Sequence, residues 1–286
     1  MDKGITKAWR LVFFGMVMII LGSLIAALPI FRGLSYTAML LGELMILVPV
    51  LFGVHSLKKA GISPDFGTLR FSPRLLLPLF FLPICMQQFC ALFMTPFLQL
   101  LNEWMGELPD SIQAADSVVT FLMQFLVVCV AAPVVEEFFC RGLLFQLVRP
   151  YGTAAMIFVP ALGFSLMHFD LRQIPVIFML GLLLSVVRLV TGSIGASIYV
   201  HACNNFMTLL LMLAERHLPE EAIGALAILG MLLFPVLLCL FLKLLRAEDA
   251  PLCEPGSLKI KLTPMAVVCF GLVAVYNALL LFQIWF

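Results

Sequence analysis

The sequence predicts an all-α fold, a polytopic bundle of transmembrane helices. Apolar residues make up 63% of its 286 residues and charged residues only 12%, with a mean hydropathy of +1.13. A soluble domain is about 45–50% apolar and about 25% charged, so this composition excludes a soluble globular enzyme. An intrinsically disordered protein would have few apolar and many charged residues, so the composition also excludes disorder. A membrane β-barrel would show alternating segments of about ten residues, whereas the apolar runs here suit helices of roughly 20 residues.

Nine apolar runs are candidate membrane spans, and eight is the alternative count. They cover residues 11–31, 36–57, 75–101, 117–148, 153–169, 174–190, 194–214, 222–245 and 265–286. The fourth run is too long to cross a bilayer upright, so we expect it to be strongly tilted or to begin as an interfacial segment.

The positions of the basic residues predict the orientation. With the N-terminus inside, only Arg32, Arg172 and Arg216 of the 17 lysines and arginines fall on the outer side. This asymmetry follows the positive-inside rule and favours a multi-pass protein of the cell (plasma) membrane. The bilayer is therefore one expected partner. The net charge of only +1 gives no indication of a nucleic-acid partner.

The map divides the chain into three regions. Residues 1–116 form a three-span N-terminal region, 117–214 a core, and 215–286 the C-terminal spans. A linker rich in proline and glycine lies near 247–264. We expect this linker to tether a last span that is peripheral to the functional core.

The fourth run contains charged residues that are costly in lipid. A charged side chain at a helix centre costs on the order of 3 kcal/mol and usually faces an interior site. Glu137 and Arg141 are four residues apart, so they can pair on one helical face. Glu136 points about 100° away and needs another reason to be there. The alternative interpretation is a buried ion cluster that only fixes helix packing.

Two further runs carry polar residues. His168 ends the fifth run, with Phe164 one turn earlier, and His201 and Asn205 share one face of the seventh. The alternatives are an interfacial histidine at a span end and hydrogen bonding that merely holds helices together. The predicted depths of Glu136, His168 and His201 agree within the error of the boundaries, which allows a single intramembrane cluster.

These residue types suit amide hydrolysis. A carboxylate with imidazoles can deprotonate water, and an amide with an imidazole can hold an oxyanion. The sequence shows no evident serine or cysteine nucleophile motif, and the absence of H-E-x-x-H excludes an ordinary zincin. Zinc held by Glu136, His168 and His201 is chemically reasonable, since these are suitable ligands.

Three motifs occur in order, each in a separate predicted span. They are E-E-x-x-x-R, F-x-x-x-H and H-x-x-x-N, formed by Glu136, Glu137, Arg141, Phe164, His168, His201 and Asn205. Together they resemble the CAAX protease and bacteriocin-processing family. That family includes the type II CAAX prenyl endopeptidases and the lysostaphin-resistance-like proteins. The resemblance covers roughly residues 117–214.

The resemblance implies an intramembrane endopeptidase, with the helical bundle surrounding a polar cavity. Glu136 would be the general base that activates water, assisted by His168. Glu137 and Arg141 would order the helix and position Glu136. The nine predicted spans differ from the eight that are common in the family.

The resemblance leaves the oxyanion site, the metal and the substrate open. His201 and Asn205 would form the oxyanion hole, or His201 would help to hold a metal. The family is often labelled as metalloproteases, yet a metal-free glutamate mechanism is also proposed for it. The partner would be a peptide or protein substrate in the membrane, either a prenylated CAAX protein or a peptide linked to processing or bacteriocin self-immunity.

Two other functions remain alternatives. One is a non-catalytic membrane protein of the same fold, such as an immunity or scaffold protein. The other is a secondary transporter that uses Glu136, Glu137 and Arg141 as an ion or proton site. Transporters usually show repeated halves and broken helices, and the sequence shows neither.

Overall fold

The architecture is an all-α bundle, as the composition predicts. A computed structural model describes residues 3–31, 35–105, 114–247 and 263–285. Within these ranges the only β pairing is one isolated bridge between Thr68 and Ser193. The helices are α1 (Lys3–Ala26), α2 (Ser35–Met45), α3 (Leu47–Lys59), α4 (Leu76–Met105), α5 (Val118–Tyr151), α6 (Thr153–Leu166), α7 (Ile174–Thr191), α8 (Ile194–His217), α9 (Glu220–Ala247) and α10 (Pro264–Trp285).

Each of the nine predicted spans coincides with helical structure. Among the described residues, seven helical segments are long and apolar enough to cross a membrane, with α2 and α3 together forming one of them. Two apolar helices are shorter, namely α6 and the described part of α10, Pro264–Leu279. The chain is therefore a multi-pass integral membrane protein, and the count of nine crossings stays a prediction.

Proline interrupts the second span. Pro49 has no backbone N–H and so cannot bond to the carbonyl of Met45, which opens the helix at Ile46. The Ile46 N–H bonds instead to the Glu43 carbonyl, 3.1 Å away. The break therefore leaves Glu43 in the last turn of α2.

The fourth span, α5, is one continuous helical segment of 34 residues with two wider π-helical stretches. These stretches cover Phe125–Ala131 and Phe138–Leu144. Between them lies a short α-helical piece, Ala132–Glu137, which carries both glutamates. Stretches of this kind occur frequently at functional sites because they displace side chains from the regular helical face.

One end of the bundle gathers the loops that the charge pattern assigns to the inner side. The Gly4 N–H donates to the Tyr151 hydroxyl at 2.9 Å. The Ser193 hydroxyl donates to the Thr68 carbonyl at 3.0 Å. These contacts bring the N-terminal segment and three predicted inner loops to the same end of the bundle. This is the arrangement expected if successive loops alternate between the two sides of the membrane over nine crossings.

The opposite end gathers the predicted outer loops. Arg216 donates to the Ala115 carbonyl at 3.3 Å, and the Leu171 N–H donates to Asn277 at 3.2 Å. The second contact involves α10, which also packs against α1 and α6. Tertiary contacts thus hold α10 against the bundle, and the expectation that it is peripheral to the functional core stays a prediction.

Candidate active site

The Glu137–Arg141 pair lies at the centre of the bundle. Arg141 Nη1 donates to Glu137 Oε1 at 2.9 Å, and both side chains are fully buried. Arg141 Nη2 donates to the Gly181 carbonyl at 2.8 Å, and its guanidinium lies 4.8 Å above the Phe164 ring. The pairing that the spacing predicts is confirmed. The guanidinium also ties α5 to α6 and α7, so three elements meet at this charge.

His201 joins the two adjacent glutamates. Its Nδ1 lies 3.1 Å from Glu137 Oε1, and its Nε2 lies 3.5 Å from Glu136 Oε2. The His201 side chain is 3% exposed, Glu137 is 0% exposed, and Glu136 is 13% exposed. Glu136 is therefore the less enclosed carboxylate, and it has the better access to water or a substrate.

His168 lies in the turn that follows α6. Its Nδ1 lies 2.9 Å from the Phe164 carbonyl oxygen, which fixes the orientation of the ring. The Phe164 ring contacts both imidazoles edge-on, with centroids 4.9 Å from His168 and 5.3 Å from His201. His168 thus adjoins the cluster through Phe164, and its own side chain is exposed.

The short length of α6 sets the depth of His168. Its 14 residues span about 21 Å, which is less than the hydrocarbon thickness of about 30 Å. A helix of this length is too short to cross a bilayer upright. His168 directly follows this short helix, so we expect it to lie within the depth of the membrane although it stands at the end of its apolar run.

Asn205 lies one turn from His201 and faces α5. Its Nδ2 donates to the Val128 carbonyl at 2.8 Å. That carbonyl is free because the first π-helical stretch bonds each carbonyl to the N–H five residues later. The Ala132 N–H bonds to Val127 in this way, but Pro133 has no N–H for Val128. One hydrogen of the Asn205 amide is thereby used, and within the described part of the chain the other is left for a ligand.

Three further residues surround the site, and none of them belongs to the three sequence motifs. Gln87 donates to Asn204 at 2.8 Å, and Asn204 donates to Asn205 at 3.2 Å. Glu43 lies in α2, which packs against the Ala132–Glu137 piece of α5, and among the described residues its buried Oε2 has no hydrogen-bond partner. The position of the Glu43 carboxylate inside an apolar run of the sequence indicates a buried polar site. The contact between Gln87 and Asn204 joins two helices, and no spacing of residues along the sequence predicts it.

The zinc hypothesis does not fit this arrangement. Among the described residues, no three histidine, cysteine, aspartate or glutamate side chains form a group that could hold a metal ion. Both nitrogens of His201 face carboxylates, and Nδ1 of His168 faces a backbone carbonyl. Glu136, His168 and His201 are accordingly not placed as a three-ligand group for one ion.

Comparison with known proteins gives one match. Residues 118–207 match the family model described as type II CAAX prenyl endopeptidase Rce1-like. No curated protein and no solved structure matches the chain. The matched segment contains all three motifs and every residue of the Glu136–Glu137–His201 cluster. Residues 118–207 are therefore similar to the type II CAAX prenyl endopeptidases, which agrees with the family resemblance that the three motifs indicate.

Proposed function

We propose that this protein is an intramembrane endopeptidase in which Glu136 activates water to hydrolyse a peptide bond of a membrane-associated peptide or protein. The observation that carries the proposal is the contact of His201 with both glutamates. Glu137 is fixed by Arg141, whereas Glu136 keeps partial exposure. The site thus pairs one immobile carboxylate with one that can reach a substrate.

The first step is proton removal from water by the Glu136 carboxylate, assisted by His168 at the edge of the cluster. The water oxygen forms a bond to the carbonyl carbon of the substrate, and the carbonyl oxygen takes up negative charge. The C–N bond then breaks as that oxygen re-forms the carbonyl. The leaving amine receives the proton that Glu136 accepted, so the carboxylate is regenerated.

His201 and Asn205 supply the donors for the developing oxyanion. The His201 ring is held by Glu137 through Nδ1, which lies 3.1 Å from Glu137 Oε1. Its Nε2–H is then directed to the Glu136 side, where the substrate carbonyl lies. The second hydrogen of Asn205 Nδ2 adds a neutral donor one turn away. Donors held in place before the reaction stabilise the transition state without reorganisation.

The decisive variant is Glu136→Gln, which keeps the shape of the side chain and removes its basicity. We expect turnover to fall by about 100-fold or more, since general-base catalysis contributes about 10²–10⁴-fold. The assay uses purified protein in vesicles with a farnesylated CAAX peptide and, separately, its unprenylated form.

The matched control is Glu215→Gln, which changes an exposed glutamate at the end of α8. This variant should cleave the peptide at the rate of the unmodified protein. Turnover by Glu136→Gln equal to that of the control would contradict the proposal. Turnover of the prenylated peptide alone would assign a prenyl-protein substrate, and equal turnover of both peptides would assign a peptide groove.

Metal removal tests the mechanism separately. Because the described side chains form no ligand set for zinc, we expect activity after dialysis against a chelator to stay within about twofold of the untreated value. The measurement is the initial rate before and after dialysis, with total metal quantified in both samples. A loss that added zinc restores would contradict the metal-free mechanism.

A further inference from the structure

Asn277 in the last helix holds the turn that carries His168. Its Nδ2 donates to the Phe169 carbonyl at 2.7 Å, and its Oδ1 accepts from the Leu171 N–H at 3.2 Å. The same Nδ2 also lies 2.9 Å from the Val273 carbonyl of its own helix. Asn277 is 4% exposed. Both ends of a buried amide are thus committed to the backbone that follows His168.

In this turn Phe169 adopts a left-handed backbone conformation that is unfavourable for a residue with a side chain. Phe169 has φ +62°, and among the described residues no other non-glycine residue has a positive φ. A side chain in this left-handed region costs roughly 1–2 kcal/mol, so surrounding contacts must maintain it. The α10 helix supplies them to the backbone through Asn277 and to the ring through Tyr276, whose centroid lies 5.3 Å from that of Phe169.

Phe169 directly follows His168, a residue of the candidate active site, in the chain. His168 precedes Phe169, and its Nδ1 reaches back to the Phe164 carbonyl. On the other side, the Asp170 N–H bonds to the His168 carbonyl at 2.7 Å. A relaxation of Phe169 to negative φ would rotate the peptide that follows His168 and move its imidazole.

We propose that Asn277 is a positioning residue that sets the imidazole of His168 for water activation, by holding Phe169 in the left-handed conformation. The proposal rests on the role of His168 in the proposed function. Asn277 lies outside residues 118–207, the segment that matches the family model. The C-terminal helix is therefore part of the catalytic apparatus of this chain.

The first test is Asn277→Leu, which keeps four side-chain heavy atoms with the same branch at Cγ and is compatible with an apolar surrounding. It removes both hydrogen bonds to the turn. We expect kcat to fall by about 100-fold, as for a misplacement of about 1 Å, while KM stays within about threefold. The melting temperature should stay within about 3 °C. Asn102→Leu, an exposed position in α4, is the matched control and should keep full activity.

The second test separates backbone positioning from simple packing. In the Asn277→Leu background, Phe169→Gly and Phe169→Ala both remove the ring, but only glycine adopts a positive φ without cost. We expect the glycine double variant to cleave about tenfold faster than the alanine double variant, in line with the 1–2 kcal/mol at stake. Equal rates of the two double variants would overturn the proposal.

A third measurement distinguishes failure of this inference from failure of the proposed function. The chain has four histidines, so ¹⁵N-histidine spectra in micelles can be assigned by single substitutions. The His168 signals should shift in Asn277→Leu, whatever the activity. If His168→Ala abolishes cleavage while Asn277→Leu leaves both cleavage and spectrum unchanged, only the role of Asn277 is refuted. Full activity of His168→Ala would instead refute the assignment of His168.

Discussion

Arg141 is the largest fully buried side chain among the described residues. Its charge is stable there because Glu137, the Gly181 carbonyl and the Phe164 ring surround the guanidinium. The spacing of the sequence predicts the first of these partners, since an i,i+4 pair shares a helical face. The other two come from α7 and α6, and no spacing along α5 reveals them.

Removal of one charge of this pair should be worse than removal of both. We expect Arg141→Met to destabilise the protein by about 3–5 kcal/mol, because it leaves Glu137 as an uncompensated buried charge. The double variant Glu137→Gln with Arg141→Met should recover more than half of that loss. The measurement is denaturant unfolding in detergent, and a double variant less stable than Arg141→Met would contradict this account.

The close crossing of α6 and α7 is decided at Gly181. A Cβ added there would lie 2.9 Å from the Ala161 Cα and 3.1 Å from its Cβ. We expect Gly181→Ala to separate the helices, to move the carbonyl that Arg141 needs, and to cost about 1–3 kcal/mol of stability. Gly224→Ala in α9 meets no atom within 4 Å and should be neutral or slightly stabilising. Thermal unfolding of both variants checks this, and equal melting temperatures would count against the tight crossing.

Pro133 shapes α5 around the site. We expect Pro133→Ala to restore an N–H that competes with Asn205 for the Val128 carbonyl, so turnover should fall by about tenfold or more. Thermal stability should not fall, because proline inside a helix is unfavourable. Pro235→Ala in α9 removes another helical proline far from these contacts. Its turnover should be unchanged, and a matching loss in both variants would argue against the role of Pro133.

The distribution of charge predicts how the whole molecule sits in the membrane. The structure places Thr68 and Ser193 at one end, and Ala115 and Arg216 at the other. We expect the first end to face the inside, because the basic residues concentrate there. The test introduces a single cysteine at Ser63 or at Glu220 in a background without exposed cysteine. The cysteine at position 63 should react with an impermeant maleimide added from the inside only. The cysteine at position 220 should react with the reagent added from the outside only. The reverse pattern in intact cells would invert the orientation and leave the fold unchanged.

The sequence by itself determined the all-α membrane class, the positions of the spans, the Glu137–Arg141 pair and the motif residues. It could do so because lipid requires long apolar helices and makes every buried charge conspicuous. Only the tertiary structure decided which helices are neighbours. It placed His201 between the two glutamates, packed the helix of Glu43 against the piece of α5 that carries Glu136, and fixed the turn after His168 through Asn277. These contacts join residues far apart in the chain, and helical periodicity carries no information about the partner that a side chain meets across an interface.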